Sequence, residues 1–406
     1  MLSRRFRFER MMWNAGQGGF FSERVDWPDP SHSVNVVYDC GSHSPGKDHI
    51  DTLVDRWVSM PNRPRDNRRK KLDVLVISHF DHDHINGIPR LKNKCRLGVV
   101  VIPFRAPSEI AFDIARVLVN SGVSPSSSAV PPVHPVWLAA SPADFLDDGT
   151  VVLTVGDDDA EPVVGEGDGV GLGEGGVLEL EGLRASRSIR NGVALAPTMR
   201  EIPWRLIPVS LRMKERMKVW EDAVMKAGLS MKEMGSVEYQ IENLRVIKKV
   251  YGKMRGGTNG NCLMLLSKVS AAGADPMCPC RRRTYGGLHG RACFRCEDMA
   301  RVDTIYMGDA KGRSRKDAAE EIWKHVHAWK PRVGKWVVAH HGGSGATVEV
   351  PWTDHFSCAV VPFGSLNRYG HPRAQLLGEL AASTGVAHLL TEDDATRVRS
   401  FWRLSR

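Results

Sequence analysis

Short apolar runs alternate with polar segments along most of this 406-residue chain. Near the N-terminus, the alternation over residues 6–13 and 34–38, with Gly- and Pro-rich turns between, is typical of strands. Apolar residues at helical spacing indicate helices over 49–60 and 108–120. Because strands and helices alternate, the pattern predicts a layered α/β domain.

The last third of the chain repeats a strand, loop and helix order. The strands are predicted over 302–307, 335–339, 358–363, 386–390 and 398–402, and the helices over 315–329 and 374–384. Most of these strands end in a polar cluster. Active sites on such folds form where polar side chains gather at one edge of a sheet, so we expect a site there.

Composition changes sharply in the middle of the chain. Seven of the twelve residues 165–176 are glycine, which favours a flexible linker or long loop. Two basic helices follow near 211–226 and 237–253, after a predicted strand pair, and together they indicate an inserted helical subdomain. The predicted organisation is an N-terminal half-domain over 1–155, an insertion over 156–257 and a C-terminal half-domain over 258–406.

Overall composition is that of a globular protein, with 42% apolar and 25% charged residues. No run approaches the ~18 to 20 apolar residues of a membrane span, and no apolar segment of a signal peptide follows the basic residues 1–10. We therefore expect a cytoplasmic protein without a membrane partner.

The net charge of +9 favours polyanionic partners such as nucleic acid. Six of the eleven residues 61–71 are Arg or Lys, directly before a predicted strand at 72–77. This basic run is either a solvated loop or an edge that contacts phosphate groups.

The eight cysteines fall into two sets. Four are scattered in apolar surroundings and fit buried packing in a reducing compartment: Cys40, Cys95, Cys262 and Cys358. The other four form two close pairs and predict one structural zinc ion in a cysteine knuckle over 278–296: Cys278, Cys280, Cys293 and Cys296. Buried or redox-labile thiols are the alternative. Arginines around the knuckle either touch nucleic acid or are solvated.

The densest chemistry follows the predicted strand 72–77. Within six positions the chain supplies His79, Asp81, Asp83 and His84, together with His82. Since residues two apart in an extended segment face the same way, His79, Asp81 and Asp83 can converge. One imidazole and one carboxylate could hold a first metal ion, and Asp83 with His84 a second.

Partners for this cluster come from other strand ends. Asp309 lies on a Gly-Asp turn and is the type of group that bridges two cations, while His340, His341 and His371 each follow a strand. Taken singly, each is more often a hydrogen-bonded structural residue, but together they predict a metal centre. Arg368 fits either a phosphate clamp or a surface salt bridge.

The segment His79-Phe-Asp-His-Asp-His84 resembles the His-x-His-x-Asp-His motif of the metallo-β-lactamase superfamily, with Asp81 in place of the second histidine. This variant is similar to the β-lactamase-like domain of the bacterial competence DNA-internalisation protein. Further similar pieces occur in the same order: Gly16-Gln17-Gly18, the Asp39-x-Gly41 turn, 259–266, Gly308-Asp309-Ala310, His340-His341-Gly342 and Asn367-Arg-Tyr-Gly-His-Pro372.

The resemblance implies a four-layered αβ/βα sandwich. The inserted helical subdomain and the zinc knuckle, predicted from the residues above, match no part of the family core and are expected as insertions into it. The resemblance also implies two divalent metal ions, zinc or manganese and alternatively magnesium. The implied ligands are His79, Asp81, Asp83, His84, Asp309 and His371. The implied catalytic residues are Asp83, Asp309, His340 and His341. The implied substrate-binding residues are Asn367 and Arg368.

One family feature is weak in this chain. We call the segment 79–84 the opening motif. Between it and Asp309 the sequence offers no clear histidine for the usual ligand; His134, in Pro-Val-His-Pro, is a poor candidate. With Asp81 in place of an imidazole, the site is richer in oxygen, so manganese or magnesium competes better with zinc.

Three functions fit these observations. The first is a metal-dependent phosphodiesterase, a nuclease that hydrolyses DNA or RNA with a metal-activated hydroxide. The second is a hydrolase of a small phosphodiester, such as a cyclic nucleotide or lipid headgroup, or of a lactone. The third is a non-catalytic nucleic-acid-binding module. Protein partners that bind the insertion over 156–257 are a further expectation.

Overall fold

A computed structural model describes most of the chain. The described residues are 5–27, 33–44, 49–60, 70–124, 126–127, 129–156, 177–180, 183–196, 204–212, 214–254, 262–269, 273–276, 303–310, 317–327, 331, 333–338, 341, 358–365, 370–384 and 387–405. The glycine-rich segment 165–176, the cysteine knuckle over 278–296 and most of the basic run over 61–71 lie outside them.

The described elements alternate between strands and helices. The strands are β1 (Arg5–Met12), β2 (Phe20–Asp26), β3 (Ser33–Cys40), β4 (Lys70–Val76), β5 (Cys95–Pro103), β6 (Val151–Val155), β7 (Val177–Glu179), β8 (Arg187–Ile189), β9 (Ala194–Ala196), β10 (Trp204–Leu211), β11 (Cys262–Val269), β12 (Gly273–Pro276), β13 (Asp303–Tyr306), β14 (Val333–Val337), β15 (Cys358–Pro362), β16 (Ala387–Leu390) and β17 (Val398–Ser405). The helices are α1 (His49–Ser59), α2 (His82–Ile85), α3 (Ile88–Lys94), α4 (Pro107–Asn120), α5 (Pro135–Ala140), α6 (Pro142–Phe145), α7 (Lys214–Lys226), α8 (Val237–Glu242), α9 (Leu244–Lys253), α10 (Asp317–Val326) and α11 (Ala374–Thr384).

These strands form two mixed sheets. The first sheet has the order β12-β17-β1-β2-β3-β4-β5-β6-β8 and the second the order β16-β15-β14-β13-β11-β10-β9-β7. In the first sheet, β3 to β6 run parallel, so their carboxyl ends meet at one edge. In the second sheet, β13 to β16 run parallel in the same way. Each sheet therefore brings several polar strand ends together.

The two sheets pack face to face, with helices on the outside. The apolar core between them contains residues of both sheets, among them Phe8, Val74, Leu265 and Trp402. A second core lies between the first sheet and helices that include α1, α3, α4 and α5. A third lies between the second sheet and helices α10 and α11. This arrangement confirms the predicted four-layered αβ/βα sandwich.

The predicted insertion contributes to these layers. Strands β7, β9 and β10 lie in the second sheet and β8 at the edge of the first, although all four fall within residues 156–257. Helices α7 and α9 instead pack on α4, where Phe112 and Ala115 meet Trp220 and Ile247. The helical subdomain is thus seated on a helix of the first sheet, and the limits 156–257 stay a prediction.

The segment that begins in the opening motif forms two short helices. They are α2 over residues 82–85 and α3 over 88–94, separated by the turn at Asn86 and Gly87. The backbone N–H of Gly87 donates to the carbonyl of Cys40 at 2.9 Å, which ties this turn to the end of β3. None of the helices in the described ranges is long and apolar enough to cross a membrane.

Candidate metal centre

The opening motif spans the loop after β4 and the first residues of α2, packed against two glycine-bearing loops. A Cβ atom at Gly41 would lie 2.4 Å from the backbone carbonyl of Asp83, so only glycine fits at this close approach. The N–H of Gly41 donates to the carbonyl of Gly19 at 2.9 Å. The early glycine segment and the Asp39-x-Gly41 turn therefore hold the backbone of the motif in place.

Two residues outside the motif orient its histidines. The carboxylate of Asp39 accepts hydrogen bonds from the Ser78 N–H and hydroxyl, both at 2.7 Å, and lies 2.8 Å from Nδ1 of His84. The hydroxyl of Ser78 also lies 2.8 Å from Nδ1 of His79. Because these contacts occupy the Nδ1 atoms, both imidazoles present Nε2 to the site. Asp39 adopts a positive φ of 55° to reach this position.

Five buried side chains converge beyond these histidines: His79, Asp83, His84, Asp309 and His341. We call them the edge cluster. They fall into two groups with ligand atoms within 4.8 Å of one another, namely His79 with His84 and Asp309, and Asp83 with His84 and His341. They come from the opening motif, the loop after β13 and the segment after β14. The structure thus brings together residues that are up to 262 positions apart in sequence.

The distances within the edge cluster fit ligands around a cation. Asp309 Oδ1 lies 3.4 Å from His84 Nε2 and 3.7 Å from His341 Nε2, and Asp309 Oδ2 lies 3.5 Å from His79 Nε2. The Nε2 atoms of His79 and His84 are buried and have no hydrogen-bond partner among the described residues. Ligand atoms about 2.1 Å from a tetrahedral ion lie about 3.4 Å apart, so these side chains fit a divalent metal ion.

The pKa values of the edge-cluster side chains also indicate that its carboxylates favour a nearby positive charge. Burial and the neighbouring His79 would lower the pKa of His84, but Asp39 and Asp309 raise it to about 10. Burial would likewise lower the pKa of His79, but Asp309 raises it well above its usual value. Burial would raise the pKa of Asp309, whereas the three histidines hold it well below its usual range. The carboxylates therefore attract positive charge, which protons or a metal ion can supply.

Asp81 has a different environment. Its Oδ2 lies 3.3 Å from His79 Nε2, but its Oδ1 lies 2.9 Å from Nε of the buried Arg116 on α4. Asp81 belongs to neither three-residue group of the edge cluster. Burial would raise the pKa of Asp81, and Arg116 is the main group that lowers it instead.

A cavity opens next to His43 and His82. It has a volume of about 260 Å³ and its lining includes Ser42, His43, His82 and Asn86. The rings of His43 and His82 stack with centroids 5.2 Å apart, and His43 Nε2 lies 3.9 Å from Asp83 Oδ1. Burial, with the nearby His43, lowers the pKa of His82 to about 4, so this ring is neutral at physiological pH. His43 therefore borders both the cavity and Asp83, whereas no side chain of the edge cluster lines the cavity.

The other predicted site residues are only partly accounted for. His371 lies half-buried between β15 and α11 and belongs to neither group of the edge cluster. His340, Asn367 and Arg368 lie outside the described residues, as do the four knuckle cysteines. His134 does not act as the missing ligand in the described structure: it caps α5, where its Nδ1 accepts a hydrogen bond from the Val136 N–H at 3.2 Å.

Several residues of the site were not predicted from the sequence. Asp39 and Ser78 support the histidines, His43 faces Asp83, and Arg116 holds Asp81. The Asp39-x-Gly41 turn was a usable signal for the first. Arg116 gave no such signal, because helical spacing places it away from the apolar stripe of Ile114 and Val117 on α4.

Comparisons with known proteins relate part of the chain to one superfamily. Residues 32–182 match the family profile described as "Metallo-beta-lactamase superfamily", which supports a metal-dependent hydrolase at the superfamily level. A search of curated proteins found no match. Among solved structures, the unliganded crystal structure of yeast PDE1 is similar at 10% identity, with a TM-score of 0.30, over 94% of this chain and 87% of that one.

Proposed function

We propose that this protein is a metal-dependent phosphodiesterase that hydrolyses nucleic acid. The observation that supports the proposal most directly is the edge cluster, whose buried imidazoles and carboxylates lie at ligand–ligand distances from one another. The match of residues 32–182 to the metallo-β-lactamase superfamily supports hydrolysis as the reaction type. The net charge of +9 favours a polyanionic substrate.

The side chains in and around the edge cluster have different roles in the proposed reaction. When bound, a divalent ion lowers the pKa of a coordinated water and neutralises phosphate charge. Asp83, His84, Asp309 and His341 would hold the ion, and Asp39 keeps Nε2 of His84 directed into the site. The partly exposed His43, 3.9 Å from Asp83, is placed to donate a proton from Nε2 to a departing alkoxide.

The test uses the full chain with Mn²⁺, Mg²⁺ or Zn²⁺ and four substrates: single-stranded DNA, double-stranded DNA, RNA and bis-p-nitrophenyl phosphate. We expect metal-dependent cleavage of at least one polymer. Asp83→Ala should lose about 100-fold or more in kcat/KM, because even indirect partners of a metal ligand contribute about 10- to 100-fold. Asp148→Asn, which changes an exposed carboxylate, is the matched control. Wild-type activity in Asp83→Ala would overturn the assignment of the site.

A small phosphodiester is the second candidate substrate. The cavity of about 260 Å³ next to His43 and His82 favours it, because that space suits one compact group rather than a duplex. Turnover of bis-p-nitrophenyl phosphate with all three polymers intact would favour this function over the nuclease. A metal-loaded protein that binds DNA and cleaves none of the four substrates would instead favour a nucleic-acid-binding module.

A further inference from the structure

Arg116 is a buried cation beside the edge cluster. It lies on α4 with about 2% of its surface exposed, 2.9 Å from Asp81 Oδ1 through Nε and 3.0 Å from Asp113 Oδ1 through a terminal nitrogen. The other oxygen of Asp113 lies 3.2 Å from Arg105. Because Arg105 also compensates Asp113, the charge of Arg116 is available to Asp81.

The helix that carries Arg116 is packed on both sides. On one side, Ile114 and Val117 lie in the core against the first sheet. On the other, Phe112 and Ala115 pack with Trp220 and Ile247 of the helical subdomain. The guanidinium therefore sits on a fixed support, and it stays charged at any pH at which the protein is folded.

The ligand sets on the two sides of Asp309 are unequal. Its Oδ1 faces His84 and His341, and His341 Nε2 lies 3.5 Å from Asp83 Oδ2, so this side carries the three-residue group of Asp83, His84 and His341 in addition to Oδ1. Its Oδ2 faces His79, whose other close carboxylate is Asp81. Asp81 is already paired with Arg116 and forms no three-residue group in the described structure.

His84 adds a second limit. It belongs to both groups of the edge cluster, but its Nδ1 is 2.8 Å from Asp39, which leaves Nε2 as its ligand atom. One lone pair on Nε2 serves one ion. If an ion takes His84 together with Asp83 and His341, the group of His79 and Asp309 loses its third member.

We propose that the centre holds one divalent ion tightly, between Asp83, His84, Asp309 and His341, and that the guanidinium of Arg116 takes the place of a second ion beside Asp81. A second cation there would meet a fixed positive charge in a buried environment and would be repelled. The inference concerns the metal site on which the proposed function rests, but its test needs no substrate.

The test counts bound Mn²⁺, because thiolates of the cysteine knuckle disfavour this hard ion and add little to the count. Metal analysis after gel filtration and titration against a chelator should give one tightly bound ion per wild-type chain. The electron paramagnetic resonance spectrum should be that of isolated Mn²⁺. Two ions of similar affinity, with a spectrum of coupled Mn²⁺, would overturn the inference.

Variants at the ion pair separate its two members. Arg116→Gln removes the charge and should strengthen binding of a second ion about 10-fold or more, whereas Arg116→Lys keeps the charge and should stay at one ion. If Arg116→Gln binds a second ion no better than wild type does, the inference is wrong.

A second pair of variants covers the case in which Arg116→Gln does not fold. Asp81→Asn, which leaves the charge of Arg116 uncompensated, should lower the affinity of the tight ion less than Asp83→Asn does, and Asp83→Asn should lower it by at least about 10-fold. Equal losses in both would show that Asp81 is a ligand and overturn the inference. A chain that binds one ion and hydrolyses no phosphodiester would leave the inference standing and remove the proposed function.

Discussion

Two clusters of buried polar side chains in this molecule have similar compositions. They differ in the distances between the hydrogen-bonding groups within each cluster. Between the sheets, Glu23 accepts hydrogen bonds from Arg10 at 2.5 Å, from Tyr306 at 2.8 Å and from Ser267 at 2.5 Å. We call these four residues the core network. In the edge cluster, by contrast, the nitrogen-to-oxygen separations are 3.4 to 3.7 Å.

The difference shows what a buried polar group implies about function. Buried donors and acceptors are normally paired, and the core network follows this rule with short contacts. The edge cluster brings carboxylates and imidazoles to the spacing of ligands around an ion, so it could hold a cation. Both clusters are polar and buried. The distance between their polar atoms is what separates the core network, which is hydrogen-bonded, from the edge cluster, which is a candidate metal site.

The largest expected effect tests the core network. Glu23→Gln would leave Arg10 buried without its counter-charge, and breaking a buried pair in this way costs about 3–5 kcal/mol. Urea unfolding should show a loss of this size relative to wild type, while the Mn²⁺ affinity of the folded protein stays unchanged. A tenfold loss of Mn²⁺ affinity with unaltered stability would mean that the two clusters are not separate.

The second prediction tests whether the edge cluster is complete only with an ion. Mn²⁺ at 100 times its dissociation constant should raise the free energy of unfolding by about 2.7 kcal/mol, since an ion that binds only the folded state stabilises it. Excess chelator should reverse the gain. Asp83→Asn should gain less at the same Mn²⁺ concentration, and an equal gain would place the ion elsewhere.

Much of the fold was predictable because its elements are locally encoded. The apolar run at 72–77 forms β4 over 70–76, and the amphipathic segment at 108–120 forms α4 over 107–120. The three-residue strands β7, β8 and β9 are too short for a period to identify their sheet. Their placement depends on pairing between distant segments, which local patterns do not contain.

The site was predictable as a set of residue types and only partly as geometry. The motif identified His79, Asp83 and His84, and the structure joins them with Asp309 and His341. Sequence could not show that Arg116 pairs with Asp81, because the two lie 35 positions apart and meet through the packing of α4. The roles of His340 and Arg368 stay predictions.

The third prediction concerns the residue that orients His84. Asp39→Asn keeps the shape of the side chain but removes the charge beside Nδ1, and loss of such a partner typically lowers metal affinity about 10- to 100-fold. Titration with Mn²⁺ measures the change. Asp73→Asn is the matched control, because Asp73 also accepts a backbone hydrogen bond, from Asn35 at 2.8 Å, but lies outside the edge cluster. Equal Mn²⁺ affinities in the two variants would show that Asp39 does not support metal binding by His84.

The smallest effect tests a polar group that packing alone explains. Burial lowers the pKa of His134 from its usual 6.5, and its Nδ1 must be unprotonated to accept the hydrogen bond from Val136. Since the folded pKa lies below the unfolded value, the contribution of His134 is fully present above pH 6.5. It is lost as the pH falls through the folded pKa.

His134→Asn provides the comparison, because asparagine caps a helix without titrating in this range. Relative to that variant, wild type should lose a few tenths to about 1 kcal/mol of stability between pH 7 and pH 5, which is the scale of a helix cap. Urea unfolding at both pH values measures the difference, and Mn²⁺ should leave it unchanged. If Mn²⁺ abolished the difference in stability instead, His134 would be coupled to the metal centre. His134 would then not be an ordinary buried polar group that is independent of the edge cluster.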